Sequence, residues 1–331
     1  MISEKVAEIA AITVAFLAVG RRVALLRAFR EELDRFGGKL LGADVNRLVP
    51  AAAVCHDFRQ IGRWDADGYG DDLIHWCQQQ RVDLLISLWE PEFFRLSTLR
   101  PDLTKVGTKL LLSEKPVLDV CMDKLAFSRW CGKEGFATPN LWDATDWHRW
   151  NGEVPLFIKP RRGMGSKSAC PVKEPVDLEP YANHPDAWIL QEFIDGKEYT
   201  FDAFLDAQGR VIEVVMRERV EVRAGEVIKS RTVFFPEPWQ ETCRLCSLLG
   251  KMGAIGPLTV QGFIRQSDGA FFFTEVNPRF GGGVPLAIQA GALHPRWLIQ
   301  MVEDRMIEHV PGSYQKNLWM LRYDDAVFVV E

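Results

Sequence analysis

Phe271-Phe-Phe-Thr-Glu-Val-Asn-Pro-Arg-Phe-Gly-Gly-Gly283, taken with Thr259-Val-Gln-Gly-Phe263 upstream, decides how this chain is built. The two runs flank Gln266-Ser-Asp-Gly269 and form an antiparallel hairpin by pattern. Strand alternation then puts Glu275 and Asn277 on one face. A turn centred on Asp268 sets Gln261 opposite Glu275. Three oxygen-bearing side chains converging on one side of a sheet suit a hard cation such as Mg²⁺ that carries phosphate oxygens. Arg279 follows at once, a planar fixed cation able to stabilise a transferring phosphoryl group. The triple glycine after it leaves backbone amides free to approach an anion.

A second informative stretch is Phe157-Ile-Lys-Pro-Arg-Arg-Gly-Met-Gly-Ser-Lys-Ser168. An apolar strand delivers Lys159, and Gly163, Gly165 and Ser166 form a turn whose amides can fold over phosphates while Lys159 holds charge near them. The spacing is not that of a P-loop, because G-x-x-x-x-G-K-[ST] is absent. Further on, Met216 to Thr232 packs four arginines and a lysine into a short ribbon pattern. Like charges so crowded repel unless an anion shares them, which makes Lys229 and Arg231 candidate contacts to nucleotide or acyl phosphate. Arg217 and Arg219 rank below them.

Glu275-Val-Asn-Pro-Arg279 with Gln261 upstream, and Lys-Pro-x-x-Gly-x-Gly-Ser from Lys159, resemble the ATP-grasp superfamily, specifically the branch with the carbamoyl-phosphate synthase large subunit. The resemblance implies that Lys124, in the helix Asp123-Lys-Leu-Ala-Phe-Ser-Arg-Trp130, is the first nucleotide lysine. It implies that Gln191, Glu192, Phe193 and Ile194 form the hinge against which adenine lies, and that Glu198 accepts the ribose hydroxyls. Gln261, Glu275 and Asn277 become metal ligands, Arg279 a catalytic cation. ATP and Mg²⁺ are the implied cofactors, with Mn²⁺ an acceptable replacement. Gln261 stands where many ATP-grasp ligases carry a carboxylate, so a second metal is held less strongly.

The reaction so implied is an ATP-dependent carboxylate–amine, or carboxylate–thiol, ligation through an acylphosphate. A carbamoyl-phosphate-synthase-like half-enzyme, phosphorylating bicarbonate or carbamate beside a partner chain, is the second reading. A non-catalytic nucleotide-binding regulatory module is the third; loss of Arg279 or of the metal triad would mark it, and neither is lost. Implied partners are a small carboxylate and an amine nucleophile, with a partner ligase subunit or a homodimer as assembly options.

The fold class expected is α/β and α+β: an N-terminal open parallel-sheet domain over residues 1–113, a small lid subdomain over 114–190 and a large ATP-grasp subdomain with the metal site over 191–331. Strand-like and helix-like runs alternate up to about residue 113, as a parallel sheet covered on both faces requires. Gly20 and Asp44 occupy the places of a dinucleotide loop and its ribose carboxylate, but G-x-G-x-x-G is missing. Trp89-Glu-Pro-Glu92 ends the Val82 strand at the ligand-binding edge of such sheets, leaving Glu90 and Glu92 as either substrate ligands or solvated loop carboxylates.

With 331 residues the chain has room for two or three domains, and no internal repeat is evident. A net charge of −5 gives no support for nucleic acid or an anionic membrane as partner. The apolar run from Ile9 to Gly20 is too short to span a bilayer and leads into a helix-periodic segment, so it is expected as a first strand. Seven cysteines at irregular spacing point to a reducing cytoplasm, and Cys243-Arg-Leu-Cys246 to core thiols within a helix. His294 and His309 are expected to be structural.

Overall fold

The computed structural model describes residues 11–142, 155–163, 169–181, 184–223 and 225–329. The chain divides into two units. One runs to Leu112 and takes in Leu293–Ile307 and the tail from Asp325; the other comprises Ser113–Ala292 and Glu308–Asp324. The sequence reading kept all of 191–331 together, whereas the chain returns to its first unit near the C-terminus.

In the first unit β1 (Thr13–Leu17), β2 (Lys39–Asp44), β3 (Asp57–Gln60), β4 (Leu84–Ser87) and β5 (Lys109–Leu111) form a parallel sheet in the order β3-β2-β1-β4-β5. Every residue of β1 and of β4 is buried, as a sheet covered on both faces demands. Helix α1 (Val23–Asp34) buries Leu25, Leu26, Phe29 and Leu33, which recur at helical spacing. Helices α2 (Tyr69–Gln80) and α3 (Phe93–Lys105) complete the alternation. Asp44 is spent on the backbone, accepting from Gly20 N–H at 2.9 Å and Asn46 N–H at 3.0 Å. Glu90 and Glu92 prove neither solvated nor open, being 6% and 5% exposed. Glu92 accepts from the Tyr69 hydroxyl at 2.9 Å and from Ser87, and burial pushes its carboxyl above the ordinary range. It serves the loop from inside.

The second unit opens with α4 (Lys115–Cys121) and α5 (Lys124–Lys133). A four-stranded sheet follows, ordered β6 (Leu141–Trp142), β9 (Trp188–Glu192), β7 (Leu156–Pro160), β8 (Cys170–Val172). Its six-stranded antiparallel partner is built from β10 (Gly196–Leu205), β11 (Val211–Arg223), β12 (Glu226–Thr232), β13 (Gly256–Arg265), β14 (Phe271–Asn277) and β15 (Trp319–Leu321), in the order β14-β13-β10-β11-β12-β15. Helix α6 (Pro236–Lys251) buries Leu245, Cys246 and Leu249 among Phe201, Ala203, Leu205, Val214, Met216, Val260 and Val276 of one sheet face. Burial raises the thiols of Cys243, to about 12, and Cys246, so both are inert core groups. The remaining helices are α7 (Val284–Gln289) and α8 (His294–Val302), the latter in the first unit, where Arg296 pairs with Glu32 of α1 at 2.6 Å. His294 is fully buried, and His309 lies 2.9 Å from the buried Glu213 of β11.

Helix α5 starts where it does because Asp123 caps it. Its Oδ1 accepts from the N–H groups of Leu125 and Ala126 at 3.0 and 3.2 Å. The same carboxylate binds Arg161 Nη2 at 2.7 Å and Arg162 Nη2 at 3.1 Å, beyond the end of β7. Burial would raise this carboxyl, but the arginines and the cap outweigh it and hold the group below the ordinary range. One side chain thus fixes the first turn of a helix to the strand that carries Lys159. Replacing it by alanine, Asp123→Ala, is expected to cost about 1–2 kcal/mol in urea unfolding at neutral pH. A change within experimental error would show that the cap is not what anchors α5.

Candidate active site

The six-stranded sheet has an apolar face under α6 and a polar face opposite it. Strands β10, β13 and β14 contribute alternate residues to the polar face: Glu198, Thr200 and Asp202; Thr259 and Gln261; Glu275 and Asn277. Cross-strand pairing aligns Thr200 with Gln261 and Gln261 with Glu275, while Asp202, Thr259 and Asn277 form the next row. The hairpin turn is not centred on Asp268. Phe263 pairs with Phe272 and Ile264 with Phe271, a register that would set Glu275 against Val260 on the apolar side. A bulge at Thr274 takes up one residue and restores Gln261 to its place opposite Glu275.

Glu275 is the centre of charge. Lys124 Nζ, at the first turn of α5, lies 3.7 Å from its Oε2, and Asn277 Nδ2 donates to its Oε1 at 3.2 Å. Burial works to raise this carboxyl, but Lys124, then Lys159, Asn277 and Arg279 overcome it and keep it ionised. Lys124 Nζ also donates to the carbonyl of Gly163 at 3.0 Å, so α5, the end of β7 and the β13–β14 hairpin meet at one ammonium. Gly163 has φ +100°, which a glycine alone adopts without strain. Gly165 and Ser166, the rest of the expected lid, lie outside the described residues.

Lys159 comes from β7, and withdrawal of its ammonium from water lowers its pKa to about 8. Glu275 and Glu198 oppose that shift and Lys124 adds to it. Glu198 itself is raised, chiefly by burial and partly by the Glu275 charge, against the pull of Arg219.

The hinge residues connect the two sheets of the second unit. Gln191 is buried and pairs with Leu141 on one side and Phe157 on the other. Glu192 N–H donates to Asn140 O at 2.8 Å, and its carboxylate accepts from Asn140 Nδ2 at 3.0 Å. Phe193 N–H donates to Pro155 O at 2.9 Å, and Phe193 is 44% exposed. Ile194 is 6% exposed.

The structure does not bring Lys229 and Arg231 to this face. Arg231 pairs with Glu218 at 2.8 Å, and Glu218 stands opposite Tyr199 of the apolar face. Lys229 is bound by Glu221 at 2.7 Å, in the open. Their partners are carboxylates of the same ribbon, so the crowded charge needs no external anion. The arginines that do face the cleft are the two ranked lower. Arg219 Nη1 lies 3.1 Å from Glu198 Oε1 and 3.3 Å from Gln261 Oε1. Arg217 Nε donates to Asp202 Oδ2 at 2.7 Å, both side chains being almost fully buried. A bulge at Ile212 is responsible. Leu205 pairs with Val211 but Phe204 with Glu213, so every later pair slips by one, and Arg217 meets Thr200. The hairpin signal in the sequence locates the turn but not this extra residue.

Among the described residues no group of three or more His, Cys, Asp or Glu side chains is placed to hold a metal. What the cleft offers is the Glu275 carboxylate, with Asn277 donating its Nδ2 to it and Gln261 opposite on the neighbouring strand. That donor set fits a hard cation which keeps waters and takes its other ligands from phosphate, rather than an ion caged by protein alone.

Two lysines and a carboxylate are gathered between a glycine-bearing strand end and a strand hairpin, and residues 121–283 match the ATP-grasp domain family. The chain carries an ATP-grasp domain over those residues. Residues 14–111, in front of it, match the PylC-like N-terminal domain. No curated protein matches the sequence. Similar solved structures include the biotin carboxylase domain dimer of Hydrogenobacter thermophilus 2-oxoglutarate carboxylase, in complex with MgADP, ADP and bicarbonate, at 14% identity and TM-score 0.74 over 92% of this chain and 73% of that one. Staphylococcus aureus N5-carboxyaminoimidazole synthetase with ADP is 16% identical, with TM-score 0.70 over 90% and 78%. Campylobacter jejuni biotin carboxylase in its β-γ-ATP complex is 14% identical, with TM-score 0.73 over 92% and 74%. At these identities the likeness speaks to the fold. Among the described residues, no helix is long and apolar enough to cross a membrane.

The lowered Lys159 has a measurable consequence. Its ammonium is charged below about pH 8 and neutral above, and a bound phosphate restores the charge. At pH 8.5 ADP binding should therefore take up roughly three-quarters of a proton through this group. The uptake is read from calorimetric enthalpies in buffers of different ionisation heat. It should disappear at pH 6.5, where the lysine is already charged, and in Lys159→Met after subtraction of the nucleotide's own protons. Equal uptake in wild type and Lys159→Met would remove Lys159 from the phosphate site.

Proposed function

We propose that the protein is an ATP-dependent ligase that activates a small carboxylate as an acylphosphate and passes the acyl group to an amine. The observation that carries this reading is the cluster of Lys124, Lys159 and Glu275, with Glu198 and Arg219 on the adjoining strands: cations for phosphate and a carboxylate for its metal on one polar face. Adenine is assigned to the hinge at Gln191–Ile194, with Ile194 against its ring, and the ribose to Glu198. Similar folds crystallised with ADP or MgADP support a nucleotide in this fold. Mg²⁺ would be held by Glu275, Asn277 and Gln261, and when bound it supplies charge neutralisation across the phosphates.

The residues of this chain do the positioning. Lys124 and Lys159 hold the phosphate chain, and the strand end at Gly163 lies over it. Arg279, at the end of the metal strand, offsets charge on the γ-phosphoryl group as the substrate carboxylate oxygen attacks phosphorus and ADP leaves. The amine nitrogen then attacks the acyl carbon, inorganic phosphate departs, and the amine gives up its proton. Both steps ask for orientation and water exclusion rather than for a protein nucleophile.

Gln261 in the metal row keeps a second substrate class in view, because a single-carboxylate metal set also fits the carbamoyl-phosphate-synthase-like reading. There the activated carboxylate is bicarbonate or carbamate. Hydroxylamine trapping separates the classes: Mg-ATP with each candidate carboxylate should give a hydroxamate in stoichiometry with ADP. Trapping with bicarbonate alone would select the second class. Tight ATP binding with no trapping for any carboxylate would leave a nucleotide-binding module.

Two substitutions test the roles. Arg279→Ala should lower turnover at least ~100-fold while ADP affinity stays within a few-fold. Glu275→Ala should abolish the Mg²⁺ dependence of nucleotide affinity. Unchanged turnover in the first, or an unchanged Mg²⁺ effect in the second, would remove that residue from its assigned role.

A further inference from the structure

The residues from Arg279 to Gly283 are the part of the metal hairpin that has left the sheet, and no ladder bonds hold them. What they rest on is a floor of three side chains from the polar face. Thr259 Oγ1 donates to the Arg279 carbonyl at 3.0 Å. A Cβ on Gly281 would lie 2.7 Å from that same Oγ1 and 3.4 Å from Asp202 Oδ1. A Cβ on Gly283 would lie 2.4 Å from Arg217 Cζ and 2.6 Å from both of its terminal nitrogens. The backbone at Gly283 therefore approaches the Arg217 guanidinium more closely than any residue with a side chain allows. Arg322 adds a bond to the Gly282 carbonyl.

Arg217 and Asp202 are 3% and 2% exposed at the side chain. A buried ion pair is a weak source of stability, since desolvation offsets most of the attraction. Here it is weaker still, because Arg217 Nη1 has no hydrogen-bond partner among the described residues. What this arrangement does supply is rigidity. The carboxylate fixes the guanidinium plane through Nε at 2.7 Å, and the plane supports the glycine run that follows Arg279.

We infer that Arg217 and Asp202 are positioning residues for the reaction: a buried, planar platform that sets the height of the Arg279–Gly283 segment over the cleft. The inference rests on the ligase reading for what the segment does, and on geometry alone for how it is held. The glycines are required by the platform, since a methyl group at Gly283 and the guanidinium cannot share the space.

Four variants separate positioning from stability: Arg217→Lys, which keeps the charge and loses the plane; Asp202→Asn; the apolar pair Arg217→Met with Asp202→Leu, which removes the ion pair together; and Gly283→Ala, which leaves the pair intact. Each is compared with wild type in ATP turnover, ADP affinity and hydrogen exchange of the Arg279–Gly283 amides. Arg217→Lys and Gly283→Ala should lower kcat roughly 10- to 100-fold with KM for ATP within about twofold, and should speed exchange of those amides. The double variant should fold as well as wild type yet keep the kcat defect. Recovery of kcat in the double variant would overturn the inference, showing a purely structural pair, as would unchanged exchange in Arg217→Lys and Gly283→Ala. If wild type itself turns over no substrate, the ligase reading has failed, and the exchange measurement still decides whether the platform holds the segment.

Discussion

A residue on a β-strand faces the core or the cleft, and one extra residue in a strand exchanges the two for everything beyond it. This constraint is applied twice in the six-stranded sheet. Thr274 bulges out of β14 and turns Glu275 from the Val260 side to the polar side; Ile212 bulges out of β11 and turns Arg217 and Arg219 the same way. Without the first, the cleft would have no carboxylate between its lysines. Without the second, Glu218 rather than Arg219 would stand opposite Glu198, placing like charges together in a half-dry site. Both bulges leave the apolar face intact, because Phe201, Met216, Val260 and Val276 still meet there under α6.

The order of the site along the chain was legible because it is written in local patterns. A strand, a lysine and glycines can be recognised wherever they occur, and so can Glu-x-Asn-Pro-Arg. The alternating elements of the first unit were equally plain, although β3 and α3 carry little signal. The Asp57–Gln60 strand is only four residues long, and Phe93–Lys105 carries Pro101 within it and a weak apolar stripe. What could not be read was parity across hairpins. Met216-Arg-Glu-Arg219 offers its arginines to one face and its glutamate to the other, and which face is which depends on a bulge near a turn several residues away. Charge density drew attention to Lys229 and Arg231, whereas each is answered by a glutamate on the neighbouring strand.

Buried acids are a further category whose partners sequence alone does not show. Asp123, Asp202 and Glu92 each sit beside functional motifs, and each is turned inward: the first onto a helix end and two arginines, the second onto Arg217, the third onto Tyr69 and Ser87. Their work is to fix other groups.

Glu275 is the counter-ion of Lys124 and Lys159. It therefore holds, in miniature, the negative charge that a phosphate chain would bring. A divalent ion arriving alone would have to draw this carboxylate away from two ammonium groups and then share the cleft with them. A nucleotide arriving without metal would add its charge next to an ionised glutamate. The complex of the two meets neither objection, since its phosphates answer the lysines while its metal answers Glu275. On the proposed reading, the charge pattern favours entry of metal and nucleotide together over either one by itself.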